Sequence, residues 1–143
     1  MKRLWLPILV LAAVATTSAQ TAADSAAIRE TALNYIEGWY EGNAARMERA
    51  LHPELQKRIV QTDQTGKSFL GNMGASYLVM NTRRGGGKNT PKDQQQKEVI
   101  ILDIYQNAAS VRVTAGAWID YLHVAKWNGE WKIVNVLWEL KPR

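Results

Sequence analysis

The stretch WIDYLHVAKWNGEWKIVNVLW, residues 118–138, decides the fold. Asn128-Gly129 lies near its centre, and both residues accept the positive φ that a tight hairpin turn demands. Pairing outward from that turn sets Lys126 against Trp131, Val124 against Ile133, Leu122 against Asn135 and Asp120 against Leu137. One face then reads Leu122, Val124, Trp131, Ile133 and Leu137, interrupted by Asp120 and Asn135. The opposite face carries Tyr121, His123, Ala125, Val134, Val136 and Trp138. Both faces are substantially apolar, whereas a sheet covered on one side needs only one apolar face. The aliphatic face is expected to cover helices, and the aromatic face to meet another subunit. A carboxylate unpaired on the first face would be costly. Asp120 and Asn135 are therefore an internal hydrogen-bonded pair, a strand end in solvent, or part of a pocket wall at the end of the sheet.

Period-two alternation also marks the preceding segment, from Lys97 onward. With Gln106-Asn107 as a two-residue turn, Ile104 meets Ala109, Leu102 meets Val111 and Ile100 meets Val113. Asp103/Ser110 and Ile101/Arg112 then share the outer face. A one-residue slip would scramble both faces, which supports the hairpin and makes Asp103 a solvated residue.

Upstream the period changes to that of a helix. Ile28, Ala32, Tyr35, Ile36 and Trp39 form one stripe, preceded by Asp24 or Ser25 as cap and by a frayed lead-in at 20–23. Gly42 ends this helix, and Asn43 caps a second one that buries Met47, Ala50 and Leu51 and stops at His52-Pro53. A short strand is expected at 57–62. A third helix spans residues 72–81, with Met73, Tyr77 and Met80 on one side. TRRGGGKNTPK, 82–92, reads as a solvated surface loop. Its GGGK lacks the spacing of a phosphate-binding loop and the Ser or Thr that would follow the lysine.

The N-terminus reads as an export signal. Met1-Lys2-Arg3 is basic, Leu4 to Val14 is an apolar run of 11 residues, and Thr17 and Ala19 are small residues before Gln20. A membrane span needs about 20 residues, so cleavage between Ala19 and Gln20 is expected, giving a periplasmic or secreted domain over 20–143. Without cysteine, neither lipid attachment nor a disulfide is available. The formal charge of +5 falls to about +3 once Lys2 and Arg3 are gone. Much of that surplus lies in the 82–92 loop, so no nucleic-acid groove is indicated. Four of the six tryptophans lie in the last 26 residues, where the core or its surface must be concentrated.

IRETALNYIEGWYEGNAARMERALHP (28–53) and DYLHVAKWNGEWKIVNVLW (120–138) carry a resemblance. Helix, short helix with an Ala-Leu-His-Pro exit, third helix and long sheet together resemble the nuclear transport factor 2-like superfamily, and within it the lumazine-binding branch. The resemblance implies an α+β cone, in which a strongly curved antiparallel sheet wraps three N-terminal helices. It also implies an apolar cavity at the open end and homodimerisation through the outer sheet face.

Candidate site residues follow from both readings. Tyr35, Trp39, Tyr77, Asp120 and Asn135 are expected to line a ligand pocket. Tyr121, His123, Val134, Val136 and Trp138 are expected to form the dimer face. Asp120 is the foremost acid or base candidate and His52 the second, with Tyr35 or Tyr77 as donor to a developing oxyanion. No catalytic motif, cofactor motif or metal-ligand spacing is recognised. The leading expectation is an exported domain that binds a small, flat or apolar molecule without catalysis. The alternatives are an isomerase, dehydratase or cyclase using Asp120, and a protein-interaction module.

Overall fold

The computed structural model describes residues 8–142, with side chains from residue 21 onward. Most of the expected export signal, residues 1–7 and the side chains of 8–19, lies outside the described residues. Helix α1 runs Ile8–Glu41, so the backbone is helical through 20–23 rather than frayed there. Asp24 does not cap a helix start. Its Oδ1 accepts from Lys126 Nζ (2.9 Å) and Trp131 Nε1 (3.1 Å), fastening α1 to the last hairpin.

Ile28, Ala32, Tyr35 and Ile36 form the buried stripe of α1, with Trp39 half-buried at its end. Gly42, at φ +65°, turns the chain, as a helix-ending glycine should. Asn43 then caps α2, Ala44–Ala50, by accepting from the Arg46 N–H at 3.1 Å. Strand β1 follows at once, Leu51–Thr62, and β2, Ser68–Gly74, pairs with it antiparallel. Helix α3, Ala75–Arg83, follows not only the strand expected at 57–62, which is longer than expected, but also β2, which takes up residues 72–74 that were expected to be helical. Its buried side is Ala75, Leu78 and Thr82, which turns Tyr77 outward.

Strands β3 (Lys97–Tyr105), β4 (Ala108–Ala115), β5 (Trp118–Trp127) and β6 (Glu130–Leu140) complete a six-stranded sheet of order β2-β1-β6-β5-β4-β3. Every neighbouring pair is antiparallel except β1–β6, which is parallel, so the sheet is mixed. Helix α1 is tied to the sheet by polar bonds at several points. Thr31 Oγ1 donates to Trp131 O (2.9 Å) and Arg29 to Val99 O (3.0 Å), while Tyr40 Oη donates to Gln96 O (2.9 Å) just ahead of β3.

Both expected hairpins form at the expected turns, and in both the expected register fails a few residues away. Near Asn128-Gly129, Lys126 faces Trp131 and Val124 faces Ile133. The register then shifts, so His123 faces Asn135, Leu122 faces Val136 and Asp120 faces Trp138. In the other hairpin Ile104 faces Ala109, but past a second shift Ile101 faces Val111 and Val99 faces Val113. Leu102, expected inside, is 53% exposed. A bulge puts one extra residue in one strand, bends it and reverses the facing of everything beyond. A curved sheet requires such bends.

Candidate functional site

The reversal at Val134 rebuilds the inner face of the last hairpin. Trp131, Ile133 and Val136 point inward from β6, with Asp120, Leu122 and Val124 from β5, and all six are buried. Trp138, paired opposite Asp120, is half-buried on the same side. In β1 the inward residues are Leu55, Lys57 and Ile59, exposed by 0, 5 and 6%. A lysine thus occupies a core position and needs a partner.

Asp120, fully buried, is that partner. Lys57 Nζ donates to Asp120 Oδ1 at 2.5 Å and to Tyr35 Oη at 2.6 Å. Tyr35 donates onward to Asp120 Oδ2 at 3.2 Å, and Trp118 Nε1 donates to the same oxygen at 2.7 Å. One carboxylate therefore accepts from three side chains supplied by three different elements. The Lys57 ammonium also stands 4.8 Å from the Trp138 ring centroid and 5.4 Å from that of Tyr35. Burial lowers the Lys57 pKa from its ordinary value, against the opposing pull of Asp120. Burial raises the Tyr35 pKa well above its ordinary value, and the charge and hydrogen bond of Asp120 push it further.

A cavity of about 230 Å³ opens beside this network. Tyr35, Lys57, Trp118 and Trp138 bound it on the polar side, and Trp39, Met47, Met73 and Leu78 contribute much of the apolar wall. Trp39 and Trp118 meet edge to face, with centroids 6.4 Å apart. Among the residues lining the cavity, Lys57 alone carries a charge.

The glycine-rich loop serves this wall. Gly87 is buried and donates its N–H to Trp39 O at 3.0 Å. A Cβ at Gly87 would lie 2.6 Å from Trp39 Cδ1 and Nε1, and one at Gly86 would lie 3.0 Å from Trp39 Cε3. The loop is exposed over most of its length, as expected, but at Gly87 it packs against the indole, which needs a residue without a side chain. Its basic members Arg83, Arg84, Lys88 and Lys92 remain exposed.

Of the expected pocket residues, Tyr35 and Trp39 line the cavity, whereas Asp120 lies behind its wall, hydrogen-bonded to Tyr35, Lys57 and Trp118. Tyr77 is 49% exposed on α3, outside the cavity lining. Asn135 faces outward, accepting from Arg58 at 3.2 Å and lying 3.3 Å from His123 Nδ1. His52 is also apart from the cavity: its Nδ1 accepts from the Glu54 N–H (3.1 Å), and its ring stands edge-on to Trp127 at 4.7 Å. Of the expected dimer face, Tyr121 and His123 are exposed and Val134 is half-buried. Val136 is fully buried and Trp138 lines the cavity, because the bulge turned both inward. Lys57 escaped the sequence reading, although the phase set by Leu55 and Ile59 marks it as inward.

The family described as "Putative lumazine-binding" matches residues 23–139. The chain belongs to this family. The match spans α2, α3 and the sheet, with all four members of the Lys57 network inside it. No curated protein matches the chain. Solved structures show the fold. A nuclear transport factor 2-like protein from Shewanella baltica OS155 superposes with TM-score 0.62 at 19% identity, over 85% of this chain and 97% of that one. One from Novosphingobium aromaticivorans, with a cystatin-like fold, gives TM-score 0.64 at 12% identity over 95% and 92%. A third, from Methylobacillus flagellatus KT, gives 0.62 at 22% over 83% and 93%. The α+β cone expected from the sequence is thus the family fold, with a mixed sheet in place of a wholly antiparallel one.

Proposed function

We propose that the domain binds a small planar aromatic molecule in the indole-walled cavity, with a carbonyl or ring-nitrogen acceptor of the ligand meeting Lys57. The carrying observation is the placement of one cationic donor in a chamber walled mainly by apolar and aromatic side chains, with Asn81 as a neutral polar member of the lining. An ammonium has three N–H donors. Two are engaged by Tyr35 and Asp120, and the third is left for a ligand. Both Asp120 oxygens already accept from protein donors and Asp120 does not line the cavity, so it serves the site as the counter-ion of Lys57 and does not itself meet the ligand. Sites for drug-sized ligands usually measure ~300–1,000 Å³. A cavity of about 230 Å³ therefore suits one or two fused rings.

The family description supports lumazine, a fused bicycle with ring carbonyls, as the first ligand to try. Titration followed by tryptophan fluorescence should show saturable quenching in the intact protein. Lys57→Met should weaken binding by about tenfold or more, since a hydrogen bond to a charged group contributes ~1.5–3 kcal/mol. Unchanged affinity in that variant would overturn the role given to Lys57.

The same proposal includes export, with processing between Ala19 and Gln20, supported by the basic start, the short apolar run and the small residues Thr17 and Ala19. The intact mass of the exported protein tests it, and a full-length mass there would refute it. It also includes a homodimer through the outer sheet face. The support is Tyr121 and Leu137, cross-strand partners that are 47 and 50% exposed. Light scattering before and after Leu137→Lys tests that contact, and a monomer in both cases would refute it.

A further inference from the structure

We infer that Lys57 is a carbonyl-capturing amine: the cavity binds aromatic aldehydes and holds them as a protonated imine on Nζ. This inference rests on the cavity being a ligand site, and adds chemistry at one atom of it. The geometry that points to it is the Lys57–Tyr35–Asp120 triangle, in which each contact joins a proton donor to an acceptor that can take the proton. The aromatic wall selects the flat body of the ligand. Lys57 is the lining residue that can attack its carbonyl.

The proton steps balance within these three side chains. Transfer from Nζ to Asp120 Oδ1, across 2.5 Å, turns a buried ion pair into a neutral amine and a neutral acid. Burial favours release of the Lys57 proton, because a low-dielectric site disfavours the charged ammonium. The amine lone pair forms the C–N bond, and the carbonyl π pair moves onto oxygen, which takes the Tyr35 proton. The new ammonium returns a proton to the Tyr35 phenolate, leaving a neutral carbinolamine. Tyr35, which lines the cavity, then protonates the hydroxyl and takes the Asp120 proton in its place, the C–O bond breaks, water leaves and the nitrogen lone pair closes the C=N bond. The product is an iminium facing the Asp120 carboxylate, with the charge pattern of the original ion pair. Nothing is oxidised or reduced. Tyr35 moves protons and Asp120 holds one, while the carbon reacts at Lys57.

The test uses para-dimethylaminobenzaldehyde at one equivalent with the intact protein near neutral pH, trapped by cyanoborohydride and mapped by peptide mass spectrometry. The expected adduct lies predominantly at Lys57, with little at exposed amines such as Lys67, Lys88 and Lys97. Asp120→Asn and Tyr35→Phe should slow trapping, and folding of each is checked by circular dichroism. The mapping itself needs only the unmodified protein, so an unstable variant does not blunt it. The matching para-dimethylaminobenzamide, which cannot form an imine, is titrated in parallel by fluorescence. If the amide binds and label spreads over exposed lysines without reaching Lys57, imine capture is overturned while ligand binding stands. If neither compound binds, both readings fall.

Discussion

Removing both charges of the buried Lys57–Asp120 pair should cost less than the sum of removing each alone. In Asp120→Asn the shape is kept, but the new amide nitrogen cannot accept. One of the three donors now aimed at the carboxylate must then face another donor, and Lys57 is left as an uncompensated buried charge. Breaking one side of a buried pair costs about 3–5 kcal/mol. Lys57→Met leaves a buried carboxylate that still accepts from Tyr35 and Trp118, so the cost should be smaller. The double variant carries no unpaired charge and should be more stable than the sum of the two losses implies, by at least ~1.5 kcal/mol.

Urea unfolding of the four proteins measures this directly. With a slope of about 2 kcal/mol per molar, within the usual ~1–3, Asp120→Asn should lower the midpoint by roughly 2 M. Independent sites add to within ~0.5 kcal/mol. Additive losses in the double variant would mean that the two side chains do not act as a pair, and the network reading would be wrong. A near-native midpoint for Asp120→Asn would be equally damaging, because it would return Asp120 to solvent or to a ligand.

Other expectations follow from single sites. Gly87→Ala places a Cβ 2.6 Å from the Trp39 ring, so it should cost about 1–3 kcal/mol and change the Trp39 emission; Gly66→Ala, where nothing lies within 4 Å, should suffer only the ~1–2 kcal/mol of left-handed backbone. Val136→Lys should abolish cooperative folding in thermal melts, because Val136 is fully buried, whereas Leu137→Lys, at a half-exposed position, should fold. Tyr35 should stay protonated when exposed tyrosines have ionised, seen as delayed tyrosinate absorbance. Its raised folded pKa means that its contribution to stability is complete below about pH 10 and lost as pH rises towards that folded value, a loss that Tyr35→Phe should remove.

The legible parts of the sequence were those whose physics is local. Asn128-Gly129 and Gln106-Asn107 fixed two turns, with Gln106 and Asn128 at φ +50 and +51°. Gly42 and Asn43 fixed one helix end and the next helix start. Period-two pairing fails beyond a bulge, since alternation alone cannot say where an extra residue enters. The signal was present nonetheless. Inward positions in β6 run Trp131, Ile133, Val136, Trp138, and in β3 they run Val99, Ile101, Ile104, so each strand contains one step of three among steps of two. That step moved Val136 and Trp138 from the supposed outer face to the core and cavity, and Asn135 the other way. Asp120 was legible as an inward carboxylate because its phase is shared with Leu122 and Val124. Its partners were not, because Lys57, Tyr35 and Asp120 lie 63 and 85 positions apart in the pairs that matter. The parallel β1–β6 pairing brings Lys57 alongside Val136, two residues from Trp138, and so creates the site. A buried lysine in phase with Leu55 and Ile59 predicts a buried acid somewhere in the chain. Asp120, on the inner face of an apolar hairpin, is the acid that satisfies it.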